Sequence, residues 1–275
     1  MNRSQHSHLN VAALSHAGMS GKNNEDRFSI SAYTDQADKP VLFAVVSDGI
    51  GGHRAGEVAA ELAVNYIVEN VSKSNGKNPL AIMESSIHTA SEAIAARSAT
   101  QTEQHGMGAT CACIWVEEDR LFTAHVGDSR IYLLRDGKIQ RLTVDHTWVQ
   151  EAIEKGIITP EEAHDHPNVH VIRRHLGQME LPEVDFRLQL SSTDDDDRAR
   201  KNQGMRLSPG DILLVCSDGL TDLVWDDEIL DLITSRNILK SAAEGLIAQA
   251  NKRGGYDNIT VILVGVPKDT PVEPR

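Results

Sequence analysis

Two nearly identical steps occur in opposite halves of the chain: VVSDG, with Asp48 and Gly49, and VCSDG, with Asp218 and Gly219. Each follows an apolar run that reads as a buried strand, VLFAVV at 41–46 and DILLVC at 211–216. Each therefore sets a carboxylate where a strand gives way to a glycine turn. Two carboxylates at the mouths of two core strands can converge on one point, and a hard divalent cation with oxygen ligands suits that point. Such a pocket fits metal-assisted attack of water on phosphorus. Further acidic turns add to the set: NNEDR with Glu25 and Asp26, HVGDSRIY with Asp128, and YDNIT with Asp257 and Asn258. The DGIGGH segment after Asp48 carries glycines that let backbone carbonyls approach an ion.

The elements that must position these turns are short strands and longer helices. Strands are expected at 27–33, 41–47, 109–116, 120–126, 129–135, 184–190, 211–217 and 258–266. Helices are expected at 55–71 and from Pro79, capped by Asn78, to about Thr100. Others start at Asp145 or Thr147, at the capping box Thr159-Pro160-Glu161-Glu162, at a cap on Asp226, and over 238–252. Without a regular strand–helix alternation, antiparallel sheets with helices outside are the better expectation. A single domain is expected over 15–266, with an N-terminal extension at 1–14 and a tail at 267–275. Within it lie a helical flap at about 145–182 and a charged, solvated loop at 191–204 that includes the acidic run 194–197.

With 27 basic and 40 acidic residues the net charge is −13, which disfavours nucleic acid or an anionic membrane as partner. The same charge counts against a metal-dependent nuclease. No apolar stretch approaches the length of a membrane span. Cys111, Cys113 and Cys216 lie in apolar runs without framework spacing, so reduced thiols and a cytoplasmic setting are expected. The CxC pair reads as core, since alternation puts both side chains on one sheet face. The flap histidines, His164, His166, His170 and His175, lack a CxxC partner and read as a solvated loop rather than a zinc site. His146 reads as structural, and Trp115, Trp148 and Trp225 as packing residues.

Taken in order, NEDR, SDGIGGHRAGE, GATC, GDSRIY, DHT, SDGL and DNIT resemble the metal-dependent serine/threonine protein phosphatases, the PPM or type 2C family, in its bacterial form. The resemblance implies an α+β fold: two packed antiparallel β-sheets flanked by α-helices. It implies two Mn²⁺ or Mg²⁺ ions and a possible third. Asp48 would bridge two ions, the Gly49 carbonyl would bind one, and Asp218 and Asp257 would complete the other. Glu25 would act mostly through a water, and Asp128 with Asp218 would serve a third position. Asp26 and Asn258 would orient these ligands. The implied reaction is hydrolysis of phosphoserine and phosphothreonine in proteins by a metal-bridging hydroxide, by a monomer opposing a cognate Ser/Thr kinase. Gly21 stands where many members carry a phosphate-gripping arginine, leaving Lys22 as the neighbouring charge. Ile50 replaces a histidine that some members carry, and His53 follows three residues later. A catalytically silent regulator that binds phosphoproteins with the same fold is the alternative.

Overall fold

The computed structural model describes residues 1–51, 55–164, 166–191 and 193–268. His53 therefore lies outside the described residues, as does most of the expected tail. The chain opens with β1 (Asn2–Arg3), β2 (Asn10–His16), β3 (Arg27–Thr34), β4 (Pro40–Ser47) and the short β5 (Gly49–Ile50). Helices α1 (Ala55–Lys73) and α2 (Pro79–Thr100) follow. The next run is β6 (Gly108–Ala109), β7 (Cys111–Glu117), β8 (Arg120–Val126), β9 (Arg130–Arg135) and β10 (Lys138–Arg141). The flap carries α3 (Trp148–Glu154) and α4 (Pro160–His164), and α5 (Asp196–Lys201) comes after it. The chain continues through β11 (Met205–Arg206), β12 (Ile212–Cys216), α6 (Asp218–Thr221), α7 (Asp226–Thr234), α8 (Leu239–Lys252) and β13 (Ile259–Gly265).

These strands form a six-stranded sheet, β1-β3-β4-β7-β8-β11, and a five-stranded sheet, β10-β9-β12-β13-β2, with every pairing antiparallel. The sheets pack face to face, and helices cover both outer faces, as expected. The apolar run of β4 shows why its sequence does not alternate with polar residues. Val41, Phe43 and Val45 pack under α1 and α2, while Leu42, Ala44 and Val46 pack between the sheets. Both faces are buried, so the strand is apolar throughout. In β12, Leu213 and Val215 enter the inter-sheet core, while Leu214 and Cys216 face α7 and α8. Cys111 and Cys113 share the helix-side face of β7, and all three cysteines are free and buried. Trp115 is fully buried, with its ring edge-on to Phe43 at 6.2 Å.

Local signals placed several helix starts. Asn78 accepts from the Ala81 amide and Pro79 opens α2. Thr147 caps α3, and Thr159 and Glu162 form the reciprocal capping box of α4.

Other expectations are corrected. Residues 10–16, most of them assigned to an extension, form the edge strand β2 along the full length of β13. Its mixed sequence NVAALSH sends Ala13 toward the inter-sheet core and Leu14 toward α8 but is only partly buried, so it gave little apolar signal. The stretch 184–190 forms only a bridge from Asp185 to His125, because Asp185 turns back to bind Arg187. The expected solvated loop is partly ordered. Asp195 caps α5, and Asp194 accepts from the Leu190 and Ser191 amides and from Asn202. Asp226 falls in the first turn of α7. The N-cap position is Trp225, whose amide is held by Glu228 at 3.1 Å. Trp225 is itself 52% exposed, against the packing role expected for it.

Candidate metal centre

The first sheet delivers Asp48 at the end of β4. Its amide donates to Thr110 Oγ1 at 3.0 Å, and its carbonyl accepts from the Thr110 amide at 2.8 Å. The Ser47 hydroxyl donates to the Thr110 carbonyl at 2.7 Å. Thr110 Oγ1 also shares a 2.7 Å hydrogen bond with the Ser129 hydroxyl, one residue past Asp128. A single buried threonine in the GATC segment thus fastens the Asp48 turn to the Asp128 turn. Between them Gly127 has φ +106°, and a Cβ there would stand 2.6 Å from Thr110 Cγ2. Gly49 pairs with Ala109, and a Cβ on it would fall on the Gly56 carbonyl at the start of α1.

The second sheet delivers Asp218 at the end of β12, as the first residue of α6 after Ser217. The buried Ser217 hydroxyl donates to Asp26 Oδ2 at 2.7 Å and accepts from the Thr260 amide at 3.0 Å. Asn258 Oδ1 accepts from the Glu25 amide at 2.7 Å, and its Nδ2 donates to the Ala17 and Asn23 carbonyls, both at 3.1 Å. Every polar atom of that side chain is committed to backbone. Asn258 therefore positions the Glu25 segment and has no free atom for chemistry. Asp257 accepts from the Asn258 amide at 2.8 Å and is exposed at the rim. Glu25 lies against Gly56 in the first turn of α1, where the helix N-terminus favours negative charge.

The carboxylates crowd one another. Burial, then repulsion from Asp26 and Asp218, pushes Asp48 well above the usual carboxylate range. Burial, then Asp218, does the same to Asp128. Burial lifts Asp26 to about 7 against the opposing Ser217 bond, and raises Asp218 and Glu25 as well. Among the described residues no lysine or arginine hydrogen-bonds to Asp26, Asp48, Asp128 or Asp218. The nearby Arg130 is committed to Asp145 at 2.7 Å. Asp26 Oδ1, Asp128 Oδ1 and Asp218 Oδ1 are buried with no hydrogen-bond partner. Buried polar groups are nearly always satisfied, and buried charges paired or bound to metal. Orphaned carboxylate oxygens from both sheets, with no resident cation, fit hard divalent ions.

Beside this cluster opens a cleft of about 1060 Å³ between the flap and α6–α7, lined in part by Lys22, His170, Asp222, Trp225, Tyr256 and Asp257. Lys22 is exposed and faces this space. Gly21 adopts φ +75°, with open space where a Cβ would stand.

Two residues escaped the sequence reading. Asp222 lies one helical turn after Asp218, and loss of water in the cleft, then Asp218, pushes it up to about 8. The SDGLTD spacing carried that signal, since residues four apart share a helix face. His170 Nδ1 stands 3.4 Å from Asp222 Oδ2, which no local pattern announces. Two other flap histidines have partners elsewhere. His166 stacks on Trp148 at 4.6 Å, and His175 bonds the Leu176 carbonyl. His146 is structural: its Nδ1 accepts from the Gly127 amide at 3.0 Å, which leaves Nε2 to donate to Asp185 Oδ2 at 3.1 Å.

Residues 15–253 match the protein phosphatase 2C family. The serine/threonine protein phosphatase PstP of Mycobacterium tuberculosis is 37% identical over 259 residues, covering 94% of this chain, which spans 45% of that protein's length. The protein phosphatase PhpP of Streptococcus pneumoniae is 32% identical over 271 residues, covering 95% of this chain and 99% of the relative. The crystal structure of the PstP catalytic domain in complex with two manganese ions superposes with a TM-score of 0.76 at 34% identity, covering 94% of this chain and 98% of that one.

Proposed function

Because the chain belongs to the protein phosphatase 2C family, we propose that it hydrolyses phosphoserine and phosphothreonine in proteins, opposing a Ser/Thr kinase, with divalent cations held by its acidic centre. The observation that carries this reading is the set of orphaned carboxylate oxygens on Asp26, Asp128 and Asp218, drawn from separate turns into one centre. The two manganese ions in the related PstP structure support the same reading.

Asp48, the Gly49 carbonyl, Asp218 and Asp257 would hold the ions. Glu25 would engage through water, and Asp128 would serve a further position. When bound, such ions activate water for attack on phosphorus and neutralise the phosphate charge. The protein's own part is positioning. Ser217 and Thr110 lock the turns that present the aspartates, Asp26 orients from behind, and Asn258 fastens the Glu25 segment. Lys22, on the cleft wall, meets the substrate phosphate as a point charge. Mn²⁺ and Mg²⁺ both suit the oxygen donors.

The three free, buried cysteines agree with a cytoplasmic setting. No helix among the described residues is long and apolar enough to cross a membrane.

The test is phosphate release from a phosphothreonine peptide with Mn²⁺ or with EDTA. Metal-dependent release supports the reading. Folded protein that releases none with millimolar Mn²⁺ points to a phosphoprotein-binding regulator.

A further inference from the structure

Arg27, at the start of β3, folds its guanidinium back over the NNED turn. Its Nη1 donates to the backbone carbonyls of Asn24 at 2.9 Å and Asp26 at 2.8 Å, the two residues that flank Glu25. Its Nη2 donates to Glu57 Oε1 at 2.5 Å, and Asn23 Nδ2 donates to Glu57 Oε2. Glu57 lies in the first turn of α1. Burial raises the Glu25 carboxyl above its ordinary value, and a hydrogen bond from the Glu57 amide opposes it. One glutamate thus takes hold of Asn23, Glu25 and Arg27, while the arginine braces the backbone between them.

This grip acts where three segments meet too closely for side chains. A Cβ on Gly49 would stand 2.1 Å from the Gly56 carbonyl oxygen and 2.9 Å from that of Glu25. A Cβ on Gly56 would stand 2.6 Å from the Gly49 carbonyl oxygen and 2.8 Å from Glu25 Oε2. The first turn of α1 is therefore wedged against both Glu25 and Gly49. Asn258 ties the Glu25 turn to β13, and the β3–β4 ladder ties it to Ser47. Neither tie reaches α1, whereas the Arg27–Glu57 pair does. The two side chains are 29% and 30% exposed, and ion pairs so open to water add little to stability. Neither residue lines the cleft.

We propose that Arg27 and Glu57 are positioning residues, a clasp that sets the Glu25 turn against α1 and so fixes the spacing of Glu25 from the Gly49 carbonyl. The inference rests on the phosphatase reading of Glu25 and Gly49, and adds two residues outside the ligand set. Binding constellations work only when held to within about 0.5 Å, and partners beyond the ligands supply that precision. Arginine suits the task because its planar fork carries several donors in fixed directions. Two of its nitrogens here serve three acceptors at once. The clasp therefore contributes to cation affinity far more than to the stability of the fold.

The experiment titrates Mn²⁺ into the full chain, Arg27→Ala, Arg27→Lys and Glu57→Gln, and counts bound ion by electron paramagnetic resonance. Melting temperatures in EDTA and phosphopeptide kinetics accompany it. In Arg27→Ala one Mn²⁺ site should weaken by about 10–100-fold, while the metal-free melting temperature falls by less than about 4 °C. The kcat lost at low Mn²⁺ should return as Mn²⁺ is raised, and KM at saturating Mn²⁺ should match that of the natural chain. Arg27→Lys restores the charge without the fork, and Glu57→Gln keeps the amide bond to Glu25 without the charge. Both should bind Mn²⁺ with intermediate affinity. Equal Mn²⁺ affinity in the natural chain and Arg27→Ala overturns the clasp while leaving the phosphatase reading standing. So does a kcat loss that raised Mn²⁺ fails to restore, since that marks the pair as structural support alone. A natural chain that binds no Mn²⁺ overturns both.

Discussion

The Ser217 hydroxyl donates to Asp26 Oδ2 at 2.7 Å and so ties the turn after β12 to the turn before β3. Both residues are almost wholly buried. Ser217→Ala removes that donor from Asp26 and leaves the Thr260 amide without its hydroxyl partner. Unsatisfied buried groups cost about 1–3 kcal/mol, and each kcal/mol lowers the melting temperature by roughly 2–4 °C in a domain of this size. Calorimetry of the variant checks this, and an unchanged melting temperature would mean that water replaces the hydroxyl.

The crowded carboxylates predict a dependence of stability on pH that metal reverses. Asp26 titrates at about 7 in the folded chain, and Asp48 and Asp128 are held well above the usual range. In the unfolded chain all three titrate near 4. The folded protein thus holds more protons, and the stability this gives is full below about pH 4 and lost as pH rises through about 7. Burial drives His125 the other way, to about 4. Its contribution grows up to its ordinary value near 6.5 and is flat above it. Between pH 6.5 and 8 the carboxylates act unopposed by His125. Denaturant midpoints in EDTA should fall across that window, and with Mn²⁺ they should hold level or rise. A flat EDTA profile would contradict the electrostatic crowding.

Asp218→Asn should separate stability from function. It removes one charge that repels Asp48, Asp128 and Asp222. The metal-free variant should melt higher than the metal-free natural chain, while losing Mn²⁺ affinity and nearly all turnover. Melting curves in EDTA and phosphate-release assays read the two effects separately. A variant that keeps its turnover would remove Asp218 from the ion-binding set.

At position 21 the backbone argues against any side chain with a Cβ. Gly21→Arg has room, but φ +75° strains any residue with a Cβ by roughly 1–2 kcal/mol. The variant should lower KM for a phosphopeptide while reducing stability by about that amount. Lys22→Ala should raise KM with little change in melting temperature, since Lys22 is exposed. If KM stays unchanged in both, phosphate is captured elsewhere on the cleft wall.

The acidic turns and their strands were legible because both follow from short-range rules. Runs that are apolar on both faces mark central strands, and Asp-Gly marks the turns that end them. Asp222 was equally local, one helical turn from Asp218, but no glycine turn of its own marks it. What stayed hidden depends on contacts between distant segments. Thr110 is an ordinary strand residue until Ser129 is brought to it. His170 gains meaning only when the flap folds back on α6. The strand β2 was missed for a related reason. It is half exposed, and its partner β13 lies at the far end of the chain.

That pairing of β2 with β13 has a bearing on when the protein can begin to work. β13 lies between β12 and β2, and Asn258 and Thr260 at its start hold the Glu25 segment and Ser217. Among the described strands β13 is the last in chain order. A nascent chain that already carries Asp48, Asp128 and Asp218 still lacks the piece that draws them into register. A chain that lacks β13 therefore carries the acidic turns without the frame that gathers them.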